Sequence, residues 1–241
     1  MDSRLRGNDE LCGNDSLCGN DSLCGNDGPC GNDRRSEHRH SPFPEAAFIF
    51  RPMPQIAVHV DYPAWVNDTV DWNRTYSSDE ERMRLAIAVS LENVERNTGG
   101  PFGAAIFESQ SGKLVAVGMN SVVRLNNCTL HGEMVAFMMA NHRLGSFTLA
   151  APGFPAHELF TSCEPCAMCL GASLWSGVKR IVYGAGREDA LRLDFEEGPV
   201  FPSSYQYLED RGITIARDVL RPEARAVLER YRTRSGKIYN A

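Results

Sequence analysis

The sequence predicts an α/β fold in which helices cover a mixed or largely parallel sheet. Three observations lead there. Short apolar runs of strand character alternate with helical stripes through the second half of the chain. Ser78-Asp79-Glu80-Glu81 is a capping-box pattern that opens the first long helical stripe. Pro165 and Pro222 stand where two later helices begin, a position that tolerates the missing proline N–H.

Residues 7–33 repeat with a period of six (GNDELC, GNDSLC, GNDSLC, GNDGPC, GND). Each complete unit carries a Gly-Asn-Asp turn signal and one cysteine. The units hold too few apolar residues to bury a core, so they read as a leader without a fold, a translated DNA repeat or an upstream start codon. A metal- or redox-responsive tail is the alternative. Residues 34–54 are basic, then rich in Pro and Phe, and read as a linker. The expected organisation is a disordered leader and linker over 1–54 and one domain over 55–241.

Within that domain, Met83, Ile87 and Val94, with Ala86 and Leu91, form a helical stripe that Gly99-Gly100-Pro101 ends. Phe102–Phe107 and Leu114–Val117 read as two strands joined through the Ser111-Gly112 turn. A helix is expected from near His131 to about Arg143. Leu159–Thr161 reads as a short strand, and Pro165 suits the first turn of a helix that runs to about Trp175. Ile181–Tyr183 and Ile213–Ile215 are further strands. Pro222 starts a last helix through Tyr231, followed by a tail over Ser235–Ala241.

Bulk properties narrow the function. Hydrophobic residues make up 42% and charged residues 23% of 241 residues, the balance of a globular protein. The net charge is −6, and residues 55–241 hold 19 Lys and Arg against 22 Asp and Glu. A protein that tracks phosphates shows a basic stripe, so no nucleic-acid partner is expected. No apolar run is long enough for a membrane span, and the N-terminus lacks the apolar core of a secretory signal. Neither a membrane partner nor export is expected, and the cytoplasm is the expected compartment. Four cysteines lie in the leader; Cys128, Cys163, Cys166 and Cys169 lie beside a His and a Glu, which reads as metal chemistry.

The chemistry concentrates in His131-Gly132-Glu133 and Pro165-Cys166-Ala167-Met168-Cys169. Cys166 and Cys169 are three apart on a predicted helix, so their sulfurs share a face, and the first turn of a helix favours thiolate, the form that binds zinc. His131 opens the other helix and offers a nitrogen. Three protein ligands with a fourth position left to water mark a catalytic zinc site. Glu133, two residues on, faces away from the ligand direction of His131 and is placed to reach that water as a general base and acid. The alternative is a closed structural site completed by Cys163 or Cys128. Pro165 interrupts the path from Cys163 to the helix, and a closed site leaves Glu133 without a role.

His-x-Glu followed by Pro-Cys-x-x-Cys is the signature of zinc deaminases that act on amino-substituted bases. At these residues the chain resembles the cytidine-deaminase-like superfamily. The run TSCEPCAMCLGASLWSG is most similar to bacterial guanine deaminases and related nucleobase deaminases, supported by GGPFGAAIFE at 99–108, Asn120, DFEEGP at 194–199 and IYNA at 238–241. The resemblance covers about residues 55–241. It implies a three-layer α/β/α fold with a five-stranded mixed sheet, one zinc ion per chain, a free nucleobase as small-molecule substrate and a homodimer. It also implies roles by position: Asn120 bonds the ring, Phe102 and Trp175 line the pocket, Phe195 stacks on or walls it, Glu197 binds the exocyclic side and shuttles a second proton, and Tyr239 comes from a tail that covers the site. Gly132 stands where Ala is usual in that family, and Leu193-Asp194-Phe195 where an Ile-Gly-Phe-like run is common; both departures bear on pocket shape.

The leading expectation is therefore a hydrolase that converts guanine to xanthine and ammonia. Cytosine, s-triazines such as ammeline, or a nucleoside are alternatives within the same chemistry. A tRNA adenosine deaminase conflicts with the acidic balance, and a non-catalytic zinc-stabilised module remains the reading from another class.

Overall fold

The structure, a computed structural model, describes residues 57–239; the expected repeat leader lies outside the described residues. In chain order the elements are α1 (Val66–Thr69), α2 (Asp79–Glu95), β1 (Gly103–Glu108), β2 (Leu114–Met119), α3 (Val122–Leu125), α4 (Gly132–Leu144), β3 (His157–Cys163), α5 (Ala167–Ser176), β4 (Arg180–Ala185), α6 (Arg187–Leu191), α7 (Pro202–Glu209), β5 (Thr214–Ala216) and α8 (Arg221–Thr233). The strands form one five-stranded sheet in the order β2-β1-β3-β4-β5. β1 runs antiparallel to β2 and β3, while β3, β4 and β5 are mutually parallel, so the sheet is mixed.

Alternation along β1 divides the core. Ala105 and Phe107 point to the layer in which Met83, Ala86 and Val89 of α2 pack, with Val117, Phe160 and Val182 from neighbouring strands. Ala104 and Ile106 point the other way, against Ala136, Phe137 and Ala140 of α4, Leu170 of α5 and Leu208 of α7. A third cluster joins Val94 to Leu193, Phe195 and the Ala224, Val227, Leu228 and Tyr231 face of α8. The result is the three-layer α/β/α arrangement that the resemblance implies. Strands covered on both sides read as continuous apolar runs, which is why β1 and β2 show little polar alternation.

Several boundaries differ from expectation for physical reasons. The Ser78 hydroxyl accepts the Glu81 N–H at 3.2 Å, so the capping signal is used. The helix stops at Glu95, before Gly99, because Asn97 takes a left-handed conformation at φ 55°. Leu91 lies off the buried face, at 37% exposure, and Leu85 and Val89 are buried instead. β3 is longer than Leu159–Thr161 because it is central, paired with β1 on one side and β4 on the other. Cys166 is the N-cap of α5, so Pro165 precedes the helix instead of sitting in its first turn. Helix α7, with Pro202 in its first turn, is additional to the helices expected from the sequence.

The topology gathers one end of the sheet. The carboxyl ends of parallel β3 and β4, where Cys163 pairs with Ala185, lie beside the amino end of β1, where Gly103 pairs with Met119 of β2. Ligands of open α/β sheets bind at carboxyl strand ends. The start of α4 is pressed onto β2 at the same end: a Cβ on Gly118 would fall 2.0 Å from the Gly132 carbonyl oxygen. At the opposite end, buried Glu158 accepts from Arg82 at 3.0 Å and Arg180 at 3.2 Å, tying α2 to β3 and β4.

Candidate active site

His131 and Cys166 occupy equivalent places. Each is the N-cap of its helix, with extended backbone and no side-chain cap bond, which leaves the imidazole and the thiol free to turn toward one another. His131 Nδ1 lies 3.4 Å from Cys166 Sγ. Among the described residues, His131, Cys166 and Cys169 form the one group able to hold a metal, with ligand atoms all within 4.8 Å of each other. At a Zn–S length of about 2.3 Å, a tetrahedral site has ligand edges of about 3.8 Å, so the set fits zinc in spacing and in chemistry. Cys128 is exposed and Cys163 is buried, with its thiol directed to the Gly186 carbonyl at 3.9 Å; neither belongs to the group.

The electrostatics favour a metal. Hydrogen bonding from Cys169, against the cost of burial, and then from His131, brings the Cys166 thiol down to about 4. The same pairing with Cys166, with burial, raises the Cys169 thiol well above its ordinary value. Burial alone would lower the His131 imidazole, but its bond to Cys166 and the nearby thiolate and carboxylate charges outweigh that and raise it. A buried thiolate beside a thiol and an imidazole is a donor set that a divalent cation relieves of protons and charge.

Glu133 is the second residue of α4 and is 6% exposed. Burial, then the Cys166 charge, raises its carboxyl above the usual range. Thr161 of β3 donates to Glu133 Oε1 at 3.1 Å. Glu197 is also buried; burial, then the charges of Cys166 and Glu133, pushes it up to about 9. The loop that carries Glu197 is fixed where its carbonyl accepts from Ala167 N–H at 2.9 Å.

Phe102, His131, Glu133, Cys166, Glu197 and Tyr239 line one cavity of about 20 Å³, together with Glu164. That is room for one water and too little for an aromatic ring. Tyr239 closes it. A Cβ on Gly100 would fall 2.5 Å from the Tyr239 hydroxyl oxygen, so the glycine lets the ring settle onto the chain. The tail is held by Tyr231, whose hydroxyl donates to the Lys237 carbonyl at 2.6 Å.

The other expected residues fall into two sets. Asn120 is buried behind the cavity, with Oδ1 shared between the Gly100 and Val122 amides at 3.4 Å each. Its Nδ2 and the Tyr239 hydroxyl are buried without hydrogen-bond partners among the described residues. Phe195 packs edge-on against Phe102 at 5.0 Å and tilted against Tyr239 at 5.2 Å, so it backs the wall without lining it. Trp175 corrects the expectation. It sits near the far end of α5, nine residues and so about 13 Å along the axis from Cys166, and is 76% exposed.

Both sequence departures keep the local backbone. Asp194 adopts φ 66°, a conformation that Asp tolerates where Gly is usual. At Gly132 a Cβ would lie 3.1 Å from the Phe102 carbonyl oxygen, so glycine here lets Phe102 approach α4 closely.

Sequence reasoning missed Thr161 and Glu164. The Tyr205 hydroxyl and the Arg187 N–H, the latter at 2.9 Å, hold the Glu164 carboxylate, which joins α7 and α6 to the loop before Cys166. Glu164 was readable only as a member of the Glu-Pro-Cys run; contacts across 41 and 28 residues, as for Glu164 with Tyr205 and Thr161 with Glu133, leave no local signal.

Residues 76–185 match the family model described as the cytidine and deoxycytidylate deaminase zinc-binding region. Guanine deaminase of Bacillus subtilis (strain 168) is 35% identical over 134 residues, 56% of this chain and 81% of that protein. The chain belongs to the cytidine and deoxycytidylate deaminase family. The solved guanine deaminase from Nitrosomonas europaea is 37% identical with a TM-score of 0.71, over 76% of this deaminase and 100% of that chain. A protein solved in complex with 2,6-diaminopurine is 39% identical, also with a TM-score of 0.71, over 76% of this chain and 97% of its own. This deaminase is thus a zinc-dependent hydrolase, and its His131, Cys166 and Cys169 cluster is the donor set present for that metal.

Proposed function

We propose that this deaminase converts guanine and water to xanthine and ammonia, with one zinc per chain held by His131, Cys166 and Cys169 in a domain spanning residues 55–241. The observation that carries the reading is the pair of buried carboxyl groups, Glu133 and Glu197, facing one cavity beside the metal donors. The solved guanine deaminase from Nitrosomonas europaea, similar along its whole length, supports the choice of base.

Zinc, when bound, supplies Lewis-acid activation of water near neutral pH. Glu133 takes a proton from the attacking water and passes it to the ring nitrogen beside the amine-bearing carbon. The new C–O bond forms at that carbon, its C–N bond breaks, and the amine leaves as ammonia after gaining a proton. Glu197, protonated near neutrality, donates on the exocyclic side and accepts guanine N–H groups once ionised. Asn120 Nδ2 and the Tyr239 hydroxyl, both buried without partners among the described residues, gain partners from the ring. Phe102 offers an apolar face, and the Tyr239 tail lifts to admit the base, since the closed cavity cannot hold it.

Ammonia release across guanine, adenine, cytosine, ammeline and a tRNA anticodon stem-loop tests the assignment. Guanine is turned over. Adenine, which lacks guanine's N1–H and 2-amino group, leaves the buried Glu197 carboxyl without its hydrogen-bond partners and is rejected by about 1–3 kcal/mol, on the order of 10- to 100-fold. Turnover of cytosine, ammeline or the RNA in preference to guanine rejects the substrate and leaves the chemistry standing.

Two further parts belong to the same proposal. The chain acts as a homodimer, supported by exposed Trp175, Phe201 and Tyr207, apolar surface that a second copy would cover. It works in the cytoplasm, supported by reliance on the free thiols of Cys166 and Cys169, which a reducing compartment preserves.

A further inference from the structure

We infer that Thr161 is a positioning residue that fixes the Glu133 carboxylate for proton transfer. The inference rests on the reading of Glu133 as the proton carrier. Thr161 lies on central strand β3, opposite Ala104 of β1 and Tyr183 of β4, so its backbone is held from both sides. It is 1% exposed. Its side chain projects on the α4 side, in step with Leu159 two residues earlier, and its hydroxyl donates to Glu133 Oε1 at 3.1 Å. A β-branched side chain in a strand has few rotamers, so the donor itself is rigid. The neighbouring Ser162 spends its hydroxyl on backbone, accepting the Gly103 N–H at 3.0 Å. Of the two adjacent hydroxyls, only that of Thr161 reaches the carboxylate.

The physical need comes from the carboxylate. The last torsion of a glutamate side chain is broad, and packing alone leaves the two oxygens free to swing. A hydrogen bond to one oxygen stops that motion and presents the carboxylate to the cavity in one orientation. Misplacing a reacting group by about 1 Å costs on the order of 100-fold in rate. The bond reaches a residue 28 positions away, from the sheet to the first turn of α4, so it also ties the helix that begins at His131 to the strand that ends beside Cys166.

Thr161→Val removes the hydroxyl at constant volume. Zinc-loaded Thr161→Val is expected to lose about 10- to 100-fold in kcat, with KM for guanine within about twofold, and Thr161→Ser to restore most of it. The infrared carboxyl band of Glu133, identified by its loss in Glu133→Gln, is expected to shift in Thr161→Val and return in Thr161→Ser. Zinc content and melting temperature are read on the same samples. A Thr161→Val enzyme with normal kcat overturns the inference. So does a loss of kcat that tracks zinc loss or a lowered melting temperature and that Thr161→Ser fails to restore, because that marks a structural role. Failure of the underlying reading gives a different pattern: zinc-replete Glu133→Gln then remains active, whatever Thr161→Val does.

Discussion

Cys166 Sγ lies 3.4 Å from His131 Nδ1 across 35 residues of sequence, and both residues are helix N-caps. Two helix starts thus converge on one point, where their N–H groups favour thiolate. Cys166→Ala is expected to lose most bound zinc and to lower the melting temperature, because a site of three protein ligands loses its charged thiolate. Cys163→Ala is expected to keep zinc, since its thiol points to Gly186. Elemental analysis with thermal unfolding checks both; full zinc in Cys166→Ala, or zinc loss in Cys163→Ala, would relocate the site.

Glu197 gives a pH signature. Its carboxyl rises from an ordinary 4.5 to about 9 in the folded chain, with burial as the main cause. Between those values the folded chain retains a proton that the unfolded chain releases. The stability it contributes is full below the lower value and is lost as pH rises through the upper one. Glu197→Gln cannot ionise. The melting temperature of the metal-free wild type is expected to fall more steeply than that of metal-free Glu197→Gln from about pH 6 to about pH 9. Equal slopes would show that Glu197 holds no buried proton.

The tail is expected to behave as a lid hinged where Gly236 lies on the Tyr231 ring, which a Cβ there would approach to 2.3 Å. Gly236→Ala forces the tail off that ring. It is expected to lower kcat/KM for guanine, as is deletion of 236–241, with zinc and melting temperature nearly unchanged. Wild-type kinetics in both variants would reduce Tyr239 to a chain end.

The parts of this site set by local spacing were legible. His131, Glu133, Cys166 and Cys169 are read from two short motifs, and each motif sits at the helix start that its spacing predicted. Strand existence followed from apolar runs, whereas strand number came through the resemblance and strand order was visible only in the structure, because pairing is nonlocal. The pocket role of Trp175 comes through the resemblance alone; the axis of α5 carries the residue away from the ligands at its start, and it is exposed. The apolar stripe read from spacing includes Leu91, which the helix phase turns off the buried face. Helix α7 does leave a trace in the sequence, Pro202 followed by Tyr205 and Leu208 at helical spacing. Thr161 gives no such trace, since its partner lies on another element.

The measurement that tests the central claim most directly is xanthine formation from guanine by zinc-replete Glu133→Ala, with zinc content read on the same sample. The expected result is one zinc per chain and a fall in kcat toward the upper end of about 10²–10⁴-fold, since Glu133 serves more than one proton transfer. Near-normal turnover by that zinc-replete variant would contradict the account.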